Sequence, residues 1–132
     1  MIYPYYSPAL NVYKPWIPVR LSYKKTHKVL PSNVVALIDS GADVCFCSKD
    51  IAFWLGSSGK NKEQKEFTTA NSGKFNAYKD KLTLMANGKI YECPFYISSE
   101  LPKETPIILG QLGFFDKFTI KFNLPKKEIE IR

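Results

Sequence analysis

Apolar residues come in short runs broken by proline, glycine and asparagine, which is strand spacing rather than helix spacing. Trp16–Tyr23 (WIPVRLSY) reads as a strand with imperfect alternation, and Pro18 within it predicts an edge or an unpaired position. Val34–Asp39 (VVALID) is continuous and β-branched, the pattern of a buried strand, and Val44–Ser48 (VCFCS) reads as a shorter one. Ser48 then offers an N-cap to a short helix over KDIAFWLG, with Ile51, Ala52, Trp54 and Leu55 on one side and Gly56 as its stop. SSGKNKEQKE follows as a polar excursion.

Phe67–Tyr78 predicts a hairpin turning at Asn71-Ser72-Gly73. A second hairpin joins Leu82–Met85 to Ile90–Ile97 across Asn87-Gly88, the strongest short turn signal in the chain. TPIILG predicts a buried strand ending on glycine, and QLGFFDKF a short helix or helical turn. Thr119–Asn123 and Glu128–Arg132 alternate around LPKK and predict a closing hairpin within 119–132. Residues 1–15 read as an irregular arm able to lay its tyrosines on the body. These elements together predict one mainly β, small, barrel-like domain over residues 1–132 with one or two short helices.

Composition narrows the function classes. Apolar residues make up 45% of 132, enough for a packed core and unlike a disordered chain. The net charge of +7 comes almost wholly from lysine, in clusters at Lys24, Lys25 and Lys28, at Lys60, Lys62 and Lys65, and at Lys126 and Lys127. These clusters sit in turns and form no single stripe, and arginine, the better reader of phosphates and bases, is nearly absent, so a solvated surface is favoured and no nucleic-acid partner is expected. Cys45, Cys47 and Cys93 are odd in number, and the one histidine, His27, has no ligand motif around it, so neither a disulfide framework nor a metal site is expected and the cysteines read as small buried hydrophobes. No stretch approaches the ~20 apolar residues of a membrane span and no leader pattern is visible, which predicts a cytoplasmic protein with no membrane partner.

One feature asks for chemistry. The buried strand Val34–Ile38 runs into Asp39-Ser40-Gly41-Ala42-Asp43, and a carboxylate at the end of an apolar run is costly unless something holds it. Read alone, Asp39 is most simply a turn residue bonded to its own backbone. Further on, Ile107-Ile108-Leu109-Gly110 runs into Gln111–Phe118, with the glycine-bearing hairpin Thr69–Phe75 between the two motifs. This order of parts, from about Trp16 to Asn123, resembles the retropepsin-like aspartic proteases: an apolar strand, Asp-(Thr/Ser)-Gly-Ala, a flap hairpin, then an apolar-apolar-Gly strand feeding a short helix. ALIDSGAD is close to the retroviral form, and LGFFDKF looks more like bacterial and archaeal single-domain members.

The resemblance implies a closed β-barrel acid-protease fold and an aspartic endopeptidase that needs no cofactor. It implies Asp39, Ser40 and Gly41 as the catalytic loop, with Ala42, Asp43 and the flap tip Asn71, Ser72, Gly73 and Lys74 along the substrate, and Leu109 and Gly110 as supports. Residues 67–78 would be the flap over an extended peptide. The chain has one Asp-Ser-Gly, so the resemblance also implies a homodimer, with terminal strands 119–123 and 128–132 as interface candidates. Retroviral members usually carry arginine and a small polar residue after the second glycine, where Gln111 and Leu112 stand here. Lys14 falls near an Arg-Pro that reaches the partner's aspartate, at Asp43. The flap has one glycine where many members have several. A catalytically silent peptide-binding or dimerisation module therefore stays open beside the enzyme, as does a nucleic-acid binder.

Overall fold

The computed structural model describes all 132 residues. The strands are β1 (Ile2–Pro4), β2 (Tyr6–Ala9), β3 (Val12–Lys14), β4 (Trp16–Tyr23), β5 (Lys28–Val29), β6 (Val34–Ile38) and β7 (Cys45–Ser48). The helix α1 (Lys49–Trp54) separates these from β8 (Gln64–Thr68), β9 (Lys74–Ala86), β10 (Lys89–Ser98), β11 (Ile107–Leu109), β12 (Ile120–Asn123) and β13 (Glu128–Ile131). No helix is long and apolar enough to cross a membrane.

Eight strands lie in the order β5-β4-β6-β11-β7-β10-β9-β8, and β4 also pairs with β9. That pairing, Arg20 with Met85 and Leu21 with Leu84, closes a barrel of six strands. Closure removes the sheet edges that short strands would otherwise expose. The main core fills the barrel, with Ile17, Leu21, Leu82, Leu84, Phe95, Ile107, Leu109 and Phe114 fully buried. Pro18 sits where β4 has a neighbour, β6, on one side only, so its missing N–H breaks no ladder.

The two central hairpins share one 13-residue strand, β9. At its far end Asn87 (φ 52°) and Gly88 (φ 74°) both occupy the left-handed region, the geometry of the tight turn that matches strand twist. The helix ends at Trp54, as its capping pattern predicts, with Ser48 accepting the Ile51 N–H at its start.

Three expectations change in detail and one is narrowed. Trp54 is half-exposed, because this one-and-a-half-turn helix buries only the Ala52–Leu55 stripe and a residue two on from Ala52 falls roughly 200° around the axis. The polar excursion ends earlier than its composition suggests, since Gln64, Lys65 and Glu66 pair with Tyr78, Ala77 and Asn76 of β9. Of the two readings of Gln111–Phe118, the helical turn is the one found: the Phe115 and Asp116 N–H groups reach back five residues to Gly110 O and Gln111 O, and no run of i−4 bonds forms. The first fifteen residues are not irregular: β1 pairs with β13 in a small sheet ordered β1-β13-β12, and β2 and β3 form their own hairpin.

Candidate active site

Asp39 lies where β6 leaves the barrel. β6 is flanked by β4 and by β11, the latter parallel to it, so its end is held from both sides. On one side the Ile38 N–H donates to Pro15 O at 3.0 Å, and on the other the Asp39 N–H donates to Leu109 O at 3.0 Å. The loop 39–43 then folds over Gly110. The Gln111 and Leu112 amides donate to Ala42 O at 2.8 Å and Asp43 O at 2.9 Å, and Gln111 Nε2 reaches Ser40 O at 2.6 Å. Gly110 permits this approach: a Cβ there would stand 2.3 Å from Val44 O and 2.5 Å from Ala42 O. Its own N–H meets the buried Cys45 Sγ at 3.4 Å.

Within the loop, Asp39 Oδ1 accepts the Gly41 N–H at 2.9 Å and Asp39 O accepts the Ala42 N–H at 3.2 Å. The first is the local turn bond that the simplest reading of Asp39 predicts. It engages one carboxylate oxygen and leaves Oδ2 without a partner in the chain. Asp39 is half-buried, Ser40, Gly41 and Asp43 are exposed, and Ala42 is half-buried. A turn residue alone would not require the second loop to lock around it, so the cross-bracing is the informative part.

The fold that carries this loop has counterparts among solved structures. A retropepsin-like aspartic protease from Rickettsia conorii superposes with a TM-score of 0.67 at 15% identity, over 100% of this chain and 97% of that one. The retroviral protease-like domain of Ddi1 from Leishmania major gives 0.58 at 16% identity, over 92% and 90% of the two chains. The EIAV protease, in complex with the inhibitor HBY-793, gives 0.55 at 18% identity, over 80% and 88%. No protein-family model and no curated protein matches the sequence. The chain has the retropepsin fold.

On this retropepsin scaffold Asn71, Ser72, Gly73 and Lys74 form the exposed tip between β8 and β9. The tip is closed by the Thr69 N–H to Gly73 O at 2.7 Å and the Ser72 N–H to Thr69 O at 3.1 Å, with Ser72 at φ 67°. No hydrogen bond within one chain joins the tip to Asp39. The link runs through packing at the hairpin's base. Phe67 and Phe75 stack on each other with centroids 5.4 Å apart, and both meet Phe46 of β7, at 5.0 Å and 5.7 Å. Tyr96 joins from β10, and Ala42 and Ile108 pack on the same cluster. The tip and the Asp39 loop therefore share one small apolar floor, separate from the barrel core.

A second anchor holds the foot of the hairpin. Asp80 of β9 is buried and accepts from Tyr23 Oη and Ser57 Oγ at 2.7 Å each, from the Lys81 N–H at 2.9 Å, and from Lys62 Nζ at 3.4 Å. Burial opposes its ionisation, but the Ser57 and Tyr23 hydrogen bonds, the Lys62 charge and the Lys81 amide together hold its pKa below the usual carboxylate value. The network ties segment 57–63 to the barrel just before β8 begins.

Leu109 and Gly110 are buried directly under the Asp39 loop. Gln111, which composition marks only as an uncharged departure, braces the loop through both backbone and side chain. The aromatic floor was not legible as a unit, because its members come from four separate strands. Lys14 and Asp43 are exposed and neither is ion-paired within the chain. Of the terminal candidates, β13 is paired on both sides, by β1 and β12, and β12 keeps a free edge.

Proposed function

We propose that the protein is a homodimeric aspartic endopeptidase in which two Asp39 carboxylates, one from each subunit, activate a water between them. The observation that carries this reading is the braced loop: Asp39 ends a buried strand, is locked by Leu109–Leu112 around Gly110, and still presents a free carboxylate oxygen. Peptide hydrolysis through a bound water needs a base for that water and an acid for the carbonyl oxygen. Two facing carboxylates cannot both ionise at short range, so the pair holds one proton and supplies both functions as a coupled unit. One copy of the motif per chain makes the two-fold axis part of the site.

The other roles follow from this arrangement. Gly41 leaves room beside Asp39 Oδ1, where a Cβ would sit 3.3 Å away. The Ser40 hydroxyl has no partner within one chain and is assigned to bonding across the dimer. Ala42, Asp43 and the tip Asn71–Lys74 are assigned to an extended peptide, the 67–78 hairpin closing over it as a flap. Residues 1–132 act as one domain, and the terminal sheet, through the free edge of β12, contributes to the dimer contact.

The test compares the parent chain with Asp39→Asn in a peptide-library digest, with sedimentation run in parallel. Asparagine keeps an oxygen for the Gly41 N–H, so stability should hold within about 1 kcal/mol. Cleavage should fall by about 10²–10⁴-fold, the scale of losing general acid–base catalysis. Equal cleavage by both proteins, or a parent chain that is monomeric and inert at micromolar concentration, overturns the proposal.

A further inference from the structure

The lysines that are scattered along the sequence are partly gathered by the fold. The turn Lys24–Lys28 closes against the end of α1, with Thr26 Oγ1 donating to Leu55 O at 2.5 Å and Lys28 Nζ to Trp54 O at 3.4 Å. Lys28 Nζ also lies 5.6 Å from the Trp54 ring centroid. Lys28, Lys49, Asp50, Phe53 and Trp54 line one shallow depression. Two adjacent aromatics are open to solvent there, Phe53 at 71% and Trp54 at 49%. Val29, next to Lys28 in β5, is also exposed.

Charge around this apolar spot leans positive, with Lys28 and Lys49 against the single acid Asp50. Lys25 stands exposed in the Lys24–Lys28 turn, and Lys62 is held by Asp80. Lys24 is paired with Glu92 at 3.5 Å. Lys25, Lys28 and Lys49 form no ion pair, and Asp50 is the one acid lining the depression. Exposed aromatics flanked by Lys28 and Lys49, with Lys25 in the adjoining turn, match an anionic interface: the rings enter the headgroup boundary and the ammonium groups meet the lipid charges. Arginine, whose planar fork reads phosphates and bases of nucleic acid, is absent from the patch.

We propose that this face, Phe53 and Trp54 with Lys25, Lys28 and Lys49, docks the protein peripherally on an anionic lipid surface. It departs from the expectation of no membrane partner, which rested on the lack of an apolar stretch long enough to span a bilayer and does not bear on peripheral docking. The patch lies at the far end of the barrel from Asp39: β4 begins beside Ile38 and ends at Tyr23, next to the lysine turn, a span of about 23 Å at strand rise. Docking there leaves the Asp39 loop uncovered. The inference does not depend on the protease reading.

Trp54 is a built-in reporter, because the other tryptophan, Trp16, is buried. The full chain is mixed with phosphatidylcholine vesicles with and without 30% phosphatidylserine, at low and at physiological salt, and followed by co-sedimentation and tryptophan emission. Binding only to the anionic vesicles is expected, weakened by salt, with a blue shift of Trp54. Phe53→Ser and the double variant Lys25→Gln/Lys49→Gln, all at exposed positions whose side chains make no hydrogen bond or ion pair, should each weaken it at least tenfold while leaving the thermal midpoint unchanged. Three results overturn the proposal: no binding to anionic vesicles, binding with Trp54 unshifted or insensitive to these variants, or tighter capture of a single-stranded oligonucleotide or an acidic peptide at the same Trp54.

Discussion

A methyl group placed on Gly110 tests the brace around Asp39. In Gly110→Ala the new Cβ would stand 2.3 Å from Val44 O and 2.5 Å from Ala42 O, both backbone atoms that cannot swing aside as a side-chain tip would. Overpacking of this kind costs about 1–3 kcal/mol. Relief requires loop 42–44 and loop 110–112 to part, which weakens the Gln111 N–H to Ala42 O and Leu112 N–H to Asp43 O bonds at about 1 kcal/mol each. The sum, about 3–5 kcal/mol, is a large share of the ~5–15 kcal/mol that holds a domain folded. With a urea m-value near ~1.5 kcal/mol/M, the midpoint should fall by about 2–3 M, measured at fixed protein concentration so that association does not confuse the comparison. Amide exchange should accelerate first at Asp39, Gln111 and Leu112. A midpoint within about 0.5 M of the parent, with those amides still protected, would refute the claim that close approach at Gly110 positions the acid loop.

Phe46→Ala should cost about 3 kcal/mol and, more tellingly, loosen the 67–78 hairpin before the barrel, seen as faster exchange at Phe67 and Phe75 than at Leu82 or Phe95; uniform acceleration would mean that the aromatic floor is not a separate unit. Asp80→Asn should destabilise by about 2–4 kcal/mol at neutral pH by removing the charge that faces Lys62, Tyr23 and Ser57. Because the folded pKa of Asp80 lies below its unfolded value, its contribution is complete above the unfolded pKa and is lost as pH falls through the folded one. Denaturation from pH 6 downward should therefore show a steeper acid loss in the parent than in Asp80→Asn, and parallel curves would remove Asp80 as the acid-sensitive group.

Much of this protein could be read from local pattern. The strand Trp16–Tyr23, the capped helix after Ser48, the Asn87-Gly88 turn and the terminal hairpin appear at the residues their signals mark, since turn chemistry and two-residue alternation act over a few neighbours. The order of Asp-Ser-Gly-Ala, hairpin and Ile-Ile-Leu-Gly was enough to point to the fold that the solved structures share. Pairing partners were not legible in that way. Nothing local says that β4 meets β9 to close the barrel, or that β1 turns back onto β13.

The one-dimensional order of residues determined where strands begin, where they turn, and which acid stands at the end of a buried run. Tertiary structure alone decided that Gly110 must be bare, that Gln111 grips Ser40, that Phe46, Phe67, Phe75 and Tyr96 form one floor, and that Lys28 and Lys49, distant in sequence, come to flank Phe53 and Trp54. The physical reason is range. Turn and strand preferences are settled by steric contacts among adjacent residues, whereas close approach, shared burial and summed charge depend on segments that meet only after the barrel has closed.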